Sequence, residues 1–436
     1  MKRLSVEGKI ANHDREFDGR IEIDLTSGLI ENVSPVTGSA DILAKGIIFP
    51  GFVDLHIHAR EDASGRMNYK EDYITCSQAA INGGVVAFAD MPNTPTAPVN
   101  DEIYEEKKEI AKKSLVDATV YAAIGPGTEP LSFRVPYKVY MGPSVGNLYF
   151  ASQWELEEVI KKYKGKHISF HCESPEVMQK YKDEPTHERQ RPPGAESTAV
   201  EFALELIQKY DLRGKICHTS SRETVEKIMA AKKSGVAVTS EVTLHHLFFD
   251  EGMLTRENRI WLEVNPPLRS ARDRTELIHA LKLGEIDYLV TDHAPHTKED
   301  KEKHVSGMPG LDTYGSFAAW LMKEQGFSAR DIAMVCAYNP GKFVNQFSPS
   351  PNPSHQGRGK EEFPPLDGEG KGGVNRGFGC IAKGYVGSLT IIDPNQPIKI
   401  SKFNIKTKCG WSPYEGITFP GRVTHTIIRG KVYEHK

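Results

Sequence analysis

The chain reads as an α/β protein: a (β/α)8 TIM barrel carrying a small β-sandwich domain built from the N- and C-terminal segments. Between residues 53 and 292, eight short β-rich runs alternate with amphipathic stretches, which is the pattern of a parallel sheet closed by helices. The span is about 250 residues, the usual size of one such barrel. Outside it, both chain ends show strand signals and Gly- or Ser-containing turns without helical periodicity.

Taken in order, residues 20–24 and 46–49 read as strands of the terminal domain. The barrel strands are expected at 53–58, 85–91, 118–124, 137–141, 167–171, 215–219, 236–241 and 288–292. Helical periodicity falls between most of them, at 154–164, 197–210 and 222–233, and again at 317–323. The third unit is the weak one, because 125–136 carries three prolines and little periodicity. Residues 385–393 and 423–434 are similar in style to the first strands. The expected domains are therefore 1–50 with 375–436, and 51–345 for the barrel. Residues 346–374, rich in Pro, Gly and charge, read as a loop, with an insert at 348–373.

Composition narrows the function. Fifty-five basic and 58 acidic residues leave a net charge of −3, which gives no support for a nucleic-acid or anionic-membrane partner held by bulk charge. No run of 18 apolar residues exists, and the first residues lack the apolar stretch of a signal peptide. The cysteines at 76, 172, 217, 336, 380 and 409 are scattered without a Cys-x-x-Cys pair, so a disulfide framework or zinc ribbon is not expected. The expectation is a cytoplasmic protein in a reducing compartment.

The chemistry begins at Asp54-Leu55-His56-Ile57-His58. Residues two apart in a strand point the same way, so His56 and His58 face one site. Lys138, His171, His218 and Asp292 belong to later expected strands, and in a TIM barrel the C-terminal strand ends surround the active site. A lone strand-terminal histidine is usually a hydrogen-bonded structural residue. Six polar groups at successive strand ends are not explained by packing, and four imidazoles with a carboxylate suit a divalent metal such as zinc. An ammonium cannot ligate a metal, but a deprotonated buried Lys138 can take up carbon dioxide and present two carboxylate oxygens between two metals. His245 and His246 follow their strand by several residues and read as structural groups; His293 reads as orienting Asp292 or packing beside it.

Four motifs then carry a resemblance: His56-Ile57-His58-Ala59-Arg60, Met91-Pro92-Asn93-Thr94, Asn265-Pro266-Pro267-Leu268-Arg269, and Thr291-Asp292-His293-Ala294-Pro295-His296-Thr297. In this order they resemble the dihydroorotases, of the cyclic-amidohydrolase branch of the amidohydrolase superfamily, and Ser412-Pro413-Tyr414-Glu415-Gly416 extends the likeness. The resemblance implies a binuclear zinc site, with His56, His58 and Asp292 on one ion, His171 and His218 on the other, and N6-carboxylated Lys138 bridging. It implies Arg60, Asn93 and His296 as binders of a substrate carboxylate, with Asn265, Ser306 and Gly307 as further contacts. The implied reaction is reversible hydrolysis of dihydroorotate to N-carbamoyl-aspartate, with Asp292 as the catalytic proton carrier. The implied partners are that small-molecule substrate and a second copy of the chain, and an association with aspartate carbamoyltransferase stays open. The chain departs from the family after Arg60, where Glu61-Asp62-Ala63-Ser64-Gly65-Arg66 replaces a shorter loop, and residues 142–147 have the composition of a lid. Two alternatives stand beside this reading: a dihydropyrimidinase, hydantoinase or allantoinase, which does not need the carboxylate cradle, and a catalytically silent scaffold relative.

Overall fold

A computed structural model describes residues 2–142, 148–347 and 377–435. Residues 143–147 of the expected lid and the 348–373 insert lie outside the described residues. The chain opens with four strands, β1 (Arg3–Ala11), β2 (Glu16–Asp24), β3 (Ile30–Ser34) and β4 (Ile42–Pro50). The barrel strands follow as β5 (Phe52–Ile57), β6 (Val85–Asp90), β7 (Asp117–Val120), β8 (Ala122–Ile124), β9 (Tyr137–Tyr140), β10 (His167–His171), β11 (Arg213–Ile216), β12 (Val238–Thr243) and β13 (Tyr288–Val290). Five short strands close the chain: β14 (Leu389–Asp393), β15 (Ile398–Lys399), β16 (Thr418–Phe419), β17 (Arg422–Ile428) and β18 (Lys431–Glu434).

The barrel strands pair in parallel with their sequence neighbours. Their residues are almost wholly buried, because helices cover a parallel sheet and force its strands to be apolar on both faces. β7 and β8 together occupy the third barrel position. The single strand expected at 118–124 breaks at Tyr121, so that β7 pairs with β6 while β8 pairs with β9. No helix follows it, as the three prolines of 125–136 require. Closure runs from β13 back to β5: Ile57 bridges His293, and the buried Asp54 carboxylate accepts Thr291 Oγ1 at 2.5 Å.

The covering helices start where the sequence offers a cap. Asp72, Asn100, Ser152, Ser221 and Ser270 each accept the backbone N–H three residues on, opening helices Tyr73–Asn82, Asp101–Ala111, Gln153–Ile160, Arg222–Lys233 and Ala271–Lys282.

The chain ends meet in a seven-stranded sheet ordered β18-β17-β14-β4-β1-β2-β3. Its period-two alternation separates two environments. Ile48, Leu389 and Ile391 join Val6, Ile10, Ile21, Ile23 and Ile427 in a cluster of their own, while Phe49 and Ile392 pack into the main core. β1 and β3 were not expected from the pattern. In β1 the apolar register of Leu4, Val6 and Ile10 is interrupted by Gly8, and Glu7 on the polar register is buried all the same; its carboxylate accepts Thr37 Oγ1 at 2.6 Å and Gly38 N at 2.7 Å. No helix among the described residues is long and apolar enough to cross a membrane.

Candidate active site

A cavity opens at the C-terminal ends of the barrel strands. His56, His58, Arg60, Asn93, Lys138, Tyr140, His171, His218, Asn265, Asp292, Ser306 and Gly307 line it, so all but one of the residues expected from sequence share one space. The exception, His296, reaches the site through Arg60, whose Nη2 lies 3.2 Å from His296 Nε2.

Strand geometry places the first group. His56 ends a buried strand with His58 two residues on, and both rings turn to Asp292, whose Oδ1 lies 3.2 Å from His56 Nε2 and 3.1 Å from His58 Nε2. Asp292 follows β13 by two residues in the left-handed region (φ 46°). Among the described residues six non-glycines take positive φ, and Arg60 (φ 62°), His218 (φ 35°) and Asp292 are three of them. Such strain persists only where its surroundings over-determine it, and it clusters at working sites.

The partners of each ring fix its proton. His58 Nδ1 lies 2.6 Å from Asn93 Oδ1, so it donates there. Burial and the nearby Arg60 push His58 down to about 4, so its ring is neutral. The bare His58 Nε2 then faces the Asp292 carboxylate with no proton between them, which is where a cation belongs. Asp292 itself is held well below the usual carboxylate range: burial opposes its charge, but His56 and His58 outweigh that. Burial also opposes a charge on His56, yet the Asp292 and Glu241 carboxylates push it up to about 9. His56 Nδ1 is hydrogen-bonded to Glu241 Oε1, and Glu241 is paired with Lys215 on its other oxygen.

On the far side His171 Nε2 donates to Glu173 Oε2 at 2.9 Å, which leaves Nδ1 beside His218 Nε2 at 2.8 Å. Lys138 lies between the two groups, fully buried, with Nζ 2.8 Å from Cys217 Sγ and no ion pair among the described residues. The ligand atoms of His56, His58 and Asp292 all fall within 4.8 Å of one another, as do those of His56, Cys217 and Glu241. The donor set of imidazole nitrogens and one ionised carboxylate fits a borderline divalent metal, which would take the place of the proton that His56 holds toward Asp292.

Beyond the imidazoles the walls are polar and unsatisfied. Arg60 is 1% exposed, and among the described residues its Nε and Nη1 have no hydrogen-bond partner; neither do Tyr140 Oη and Asn265 Oδ1. Gly307 contributes wall: its N–H already donates to Glu263 O at 2.8 Å, and a Cβ there would lie 2.8 Å from Ala294 O. Ser306 Oγ donates to Glu263 Oε1 at 3.3 Å.

Four groups escaped the sequence reading. Tyr140 follows Lys138 by two residues, and that period alone could have found it. Glu241 closes an expected strand, but a lone carboxylate there carries no mark. Glu173 and Lys70 lie beyond strand ends, where pattern says nothing. His246 is structural, held between Thr243 Oγ1 at 2.8 Å and Pro266 O at 3.0 Å. His293 turns away from Asp292, accepting Gly310 N at 3.1 Å and facing Glu71 Oε2 at 3.3 Å.

A family model described as the amidohydrolase family matches residues 47–347. The dihydroorotase of Pyrococcus furiosus is 30% identical over 434 residues, covering 98% of this chain and 91% of that protein. The dihydroorotase of Pyrococcus horikoshii is 32% identical over 436 residues, with the same two coverages of 98% and 91%. Among solved structures, the L-hydantoinase (dihydropyrimidinase) of Arthrobacter aurescens superposes with a TM-score of 0.84 at 23% identity, over 100% of this chain and 97% of that one. A D-hydantoinase (dihydropyrimidinase) of Thermus sp. gives a TM-score of 0.80 at 22% identity, over 98% and 94%. At those identities the two structures speak for the fold alone.

Proposed function

Because the chain belongs to the amidohydrolase family, as one of its metal-dependent cyclic amidohydrolases, we propose that it catalyses the reversible hydrolysis of (S)-dihydroorotate to N-carbamoyl-L-aspartate, a step of de novo pyrimidine biosynthesis. One observation carries the choice of substrate: a guanidinium buried in the cavity wall with two free donors, at Arg60 Nε and Nη1. A buried cation with unfilled donors is an anion receptor, and an arginine fork matches a planar carboxylate. Dihydroorotate carries that carboxylate; dihydrouracil and hydantoin do not.

In this reading His56, His58 and Asp292 would hold one zinc ion, His171 and His218 would hold a second, and Lys138, as its N6-carboxylate, would contribute oxygen ligands. A lysine with no acidic partner at full burial is suited to that modification. When bound, the metals supply polarisation of the ring amide carbonyl and acidification of the attacking water. The chain's own residues do the rest. Arg60, Asn93 and His296 grip the carboxylate and fix the ring, so that attack becomes a matter of position. Asn265, Ser306 and Gly307 bound the opposite wall, and Tyr140 Oη offers a further donor. Asp292 takes the proton of water and returns it to the departing ring nitrogen; in the synthetic direction it withdraws the proton of the carbamoyl amide. A cytoplasmic homodimer, and association with aspartate carbamoyltransferase, belong to the same proposal.

The test is turnover of the zinc-reconstituted protein on dihydroorotate beside dihydrouracil. Strong preference for dihydroorotate supports the reading. Preference for dihydrouracil overturns it in favour of a hydantoinase-like enzyme, and an inert, metal-loaded protein favours a scaffold.

A further inference from the structure

His296 is fully buried and hemmed in by two cations. Lys70 Nζ lies 3.0 Å from its Nδ1, and Arg60 Nη2 lies 3.2 Å from its Nε2. Lys70 is itself 6% exposed and paired with Asp300 Oδ2 at 3.1 Å. The backbone is pinned as well, since Trp411 Nε1 donates to His296 O at 2.7 Å. Burial, Arg60 and Lys70 hold His296 well below the ordinary histidine range, so the ring is neutral, with one N–H and one bare nitrogen. An ammonium has three donors and no acceptor. A guanidinium has no acceptor either, so both cations call for a bare nitrogen and only one can have it. Lys70 lies nearer, at 3.0 Å against 3.2 Å, and Asp300 Oδ2 is beyond hydrogen-bond reach of Nδ1 at 3.9 Å, so Nδ1 is the bare nitrogen and the proton sits on Nε2. That leaves Nε2–H and Arg60 Nη2–H pointing at each other with no acceptor between them, an arrangement that an anion entering the cavity relieves.

From this three-way contact we propose that Lys70, held by Asp300, is a positioning residue that fixes the proton of His296 on Nε2, so that His296 and Arg60 present converging donors to the substrate's carboxylate. The proposal rests on the reading of the substrate as a carboxylated ring. Its first observable does not: the tautomer of His296 exists in the ligand-free protein.

The experiment takes the metal-loaded protein labelled with 15N-histidine, with His296 assigned by loss of its signals in His296→Gln. The expected spectrum shows a bare Nδ1 and a protonated Nε2. Lys70→Met should convert His296 to a mixture of tautomers or reverse it. In steady-state kinetics the same variant should raise KM for dihydroorotate at least about tenfold, the loss of one charge-assisted hydrogen bond, with a much smaller fall in kcat. Asp300→Asn, which can still cap its helix, should shift both readouts in the same direction by less. A wild-type ring protonated on Nδ1, or a Lys70→Met protein whose tautomer and KM both match the wild type, overturns the proposal. Failure to turn over dihydroorotate at all sinks the substrate assignment, while the tautomer measurement still decides the role of Lys70.

Discussion

Replacing Arg60 by Met tests the substrate assignment at its centre. Met keeps the apolar stem as far as the Nε position but loses the guanidinium head. Two donors, Nε and Nη1, are free to meet a carboxylate, and a hydrogen bond to a charged group contributes about 1.5–3 kcal/mol. Both together give about 3–6 kcal/mol, or a fall of about 10²- to 10⁴-fold in kcat/KM for dihydroorotate. The stability effect should have the opposite sign. In the ligand-free protein the guanidinium is 1% exposed with two unmet donors, and a buried unmet donor costs about 1–3 kcal/mol. Arg and Met meet the same strain at φ 62°, so the backbone does not distinguish them. Arg60→Met should therefore melt at or above the wild-type temperature while losing its activity. The assay is kcat/KM on dihydroorotate and on dihydrouracil at matched metal content, with a thermal melt of each protein. Equal losses on the two substrates, or a markedly lower melting temperature, would refute the anion-receptor argument, because either result makes Arg60 a structural cation.

Two further substitutions follow from buried or shielded carboxylates. Glu241→Gln strands the Lys215 ammonium, 2% exposed, inside the barrel, for a loss of about 3–5 kcal/mol in denaturant unfolding. It also frees His56 Nδ1 and should weaken metal binding about 10- to 100-fold by titration; adding Lys215→Met should restore most of the stability but not the metal affinity. Glu7→Gln probes the terminal sheet. The Thr37 hydroxyl above all, with Arg20 and the Thr37 and Gly38 amides, pulls Glu7 from 4.5 to about 2. A depressed acid stabilises the fold above its unfolded value and loses that contribution as pH falls through its folded one. The variant should melt below the wild type at pH 7, and the gap should close between pH 4.5 and 2; a gap independent of pH would mean that the ionised carboxylate is not what stabilises the sheet.

The barrel and the polar groups at its strand ends were legible because a parallel sheet buried on both faces writes continuous apolar runs, and the polar residue that ends each run stands out. His56, His171, His218 and Asp292 are visible for that reason. β1 is short of apolar signal because Gly8 interrupts the register of Leu4, Val6 and Ile10, and the hydrogen bonds that bury Glu7 lie 30 or 31 residues away in sequence, where no local pattern announces them. Lys70 is hidden likewise, since its partner His296 is distant in the chain, and Glu173, though it meets His171 two residues back, lies past the strand end, with its other partner Arg191 18 residues on. The break at Tyr121 was unreadable because it arises from the change of pairing partner between β7 and β8, a property of the closed barrel.

The two halves of the site differ in how they are built, and they meet at Asn93. Strand ends deliver the metal-facing groups, so a neutral-ring and a carboxylated-ring enzyme can share them unchanged. The proposed carboxylate cradle comes from loops after β5 and β13: Arg60 on one, His296 on the other, with Lys70 and Asp300 behind. Asn93 belongs to both. Its Oδ1 accepts His58 Nδ1 at 2.6 Å and keeps Nε2 bare, while its NH2 group is the end that can donate to a substrate. Changing ring specificity by altering Arg60 or His296 leaves the metal-facing side of His58 intact. Changing Asn93 cannot, because the amide proposed to grip the substrate also sets the proton of His58.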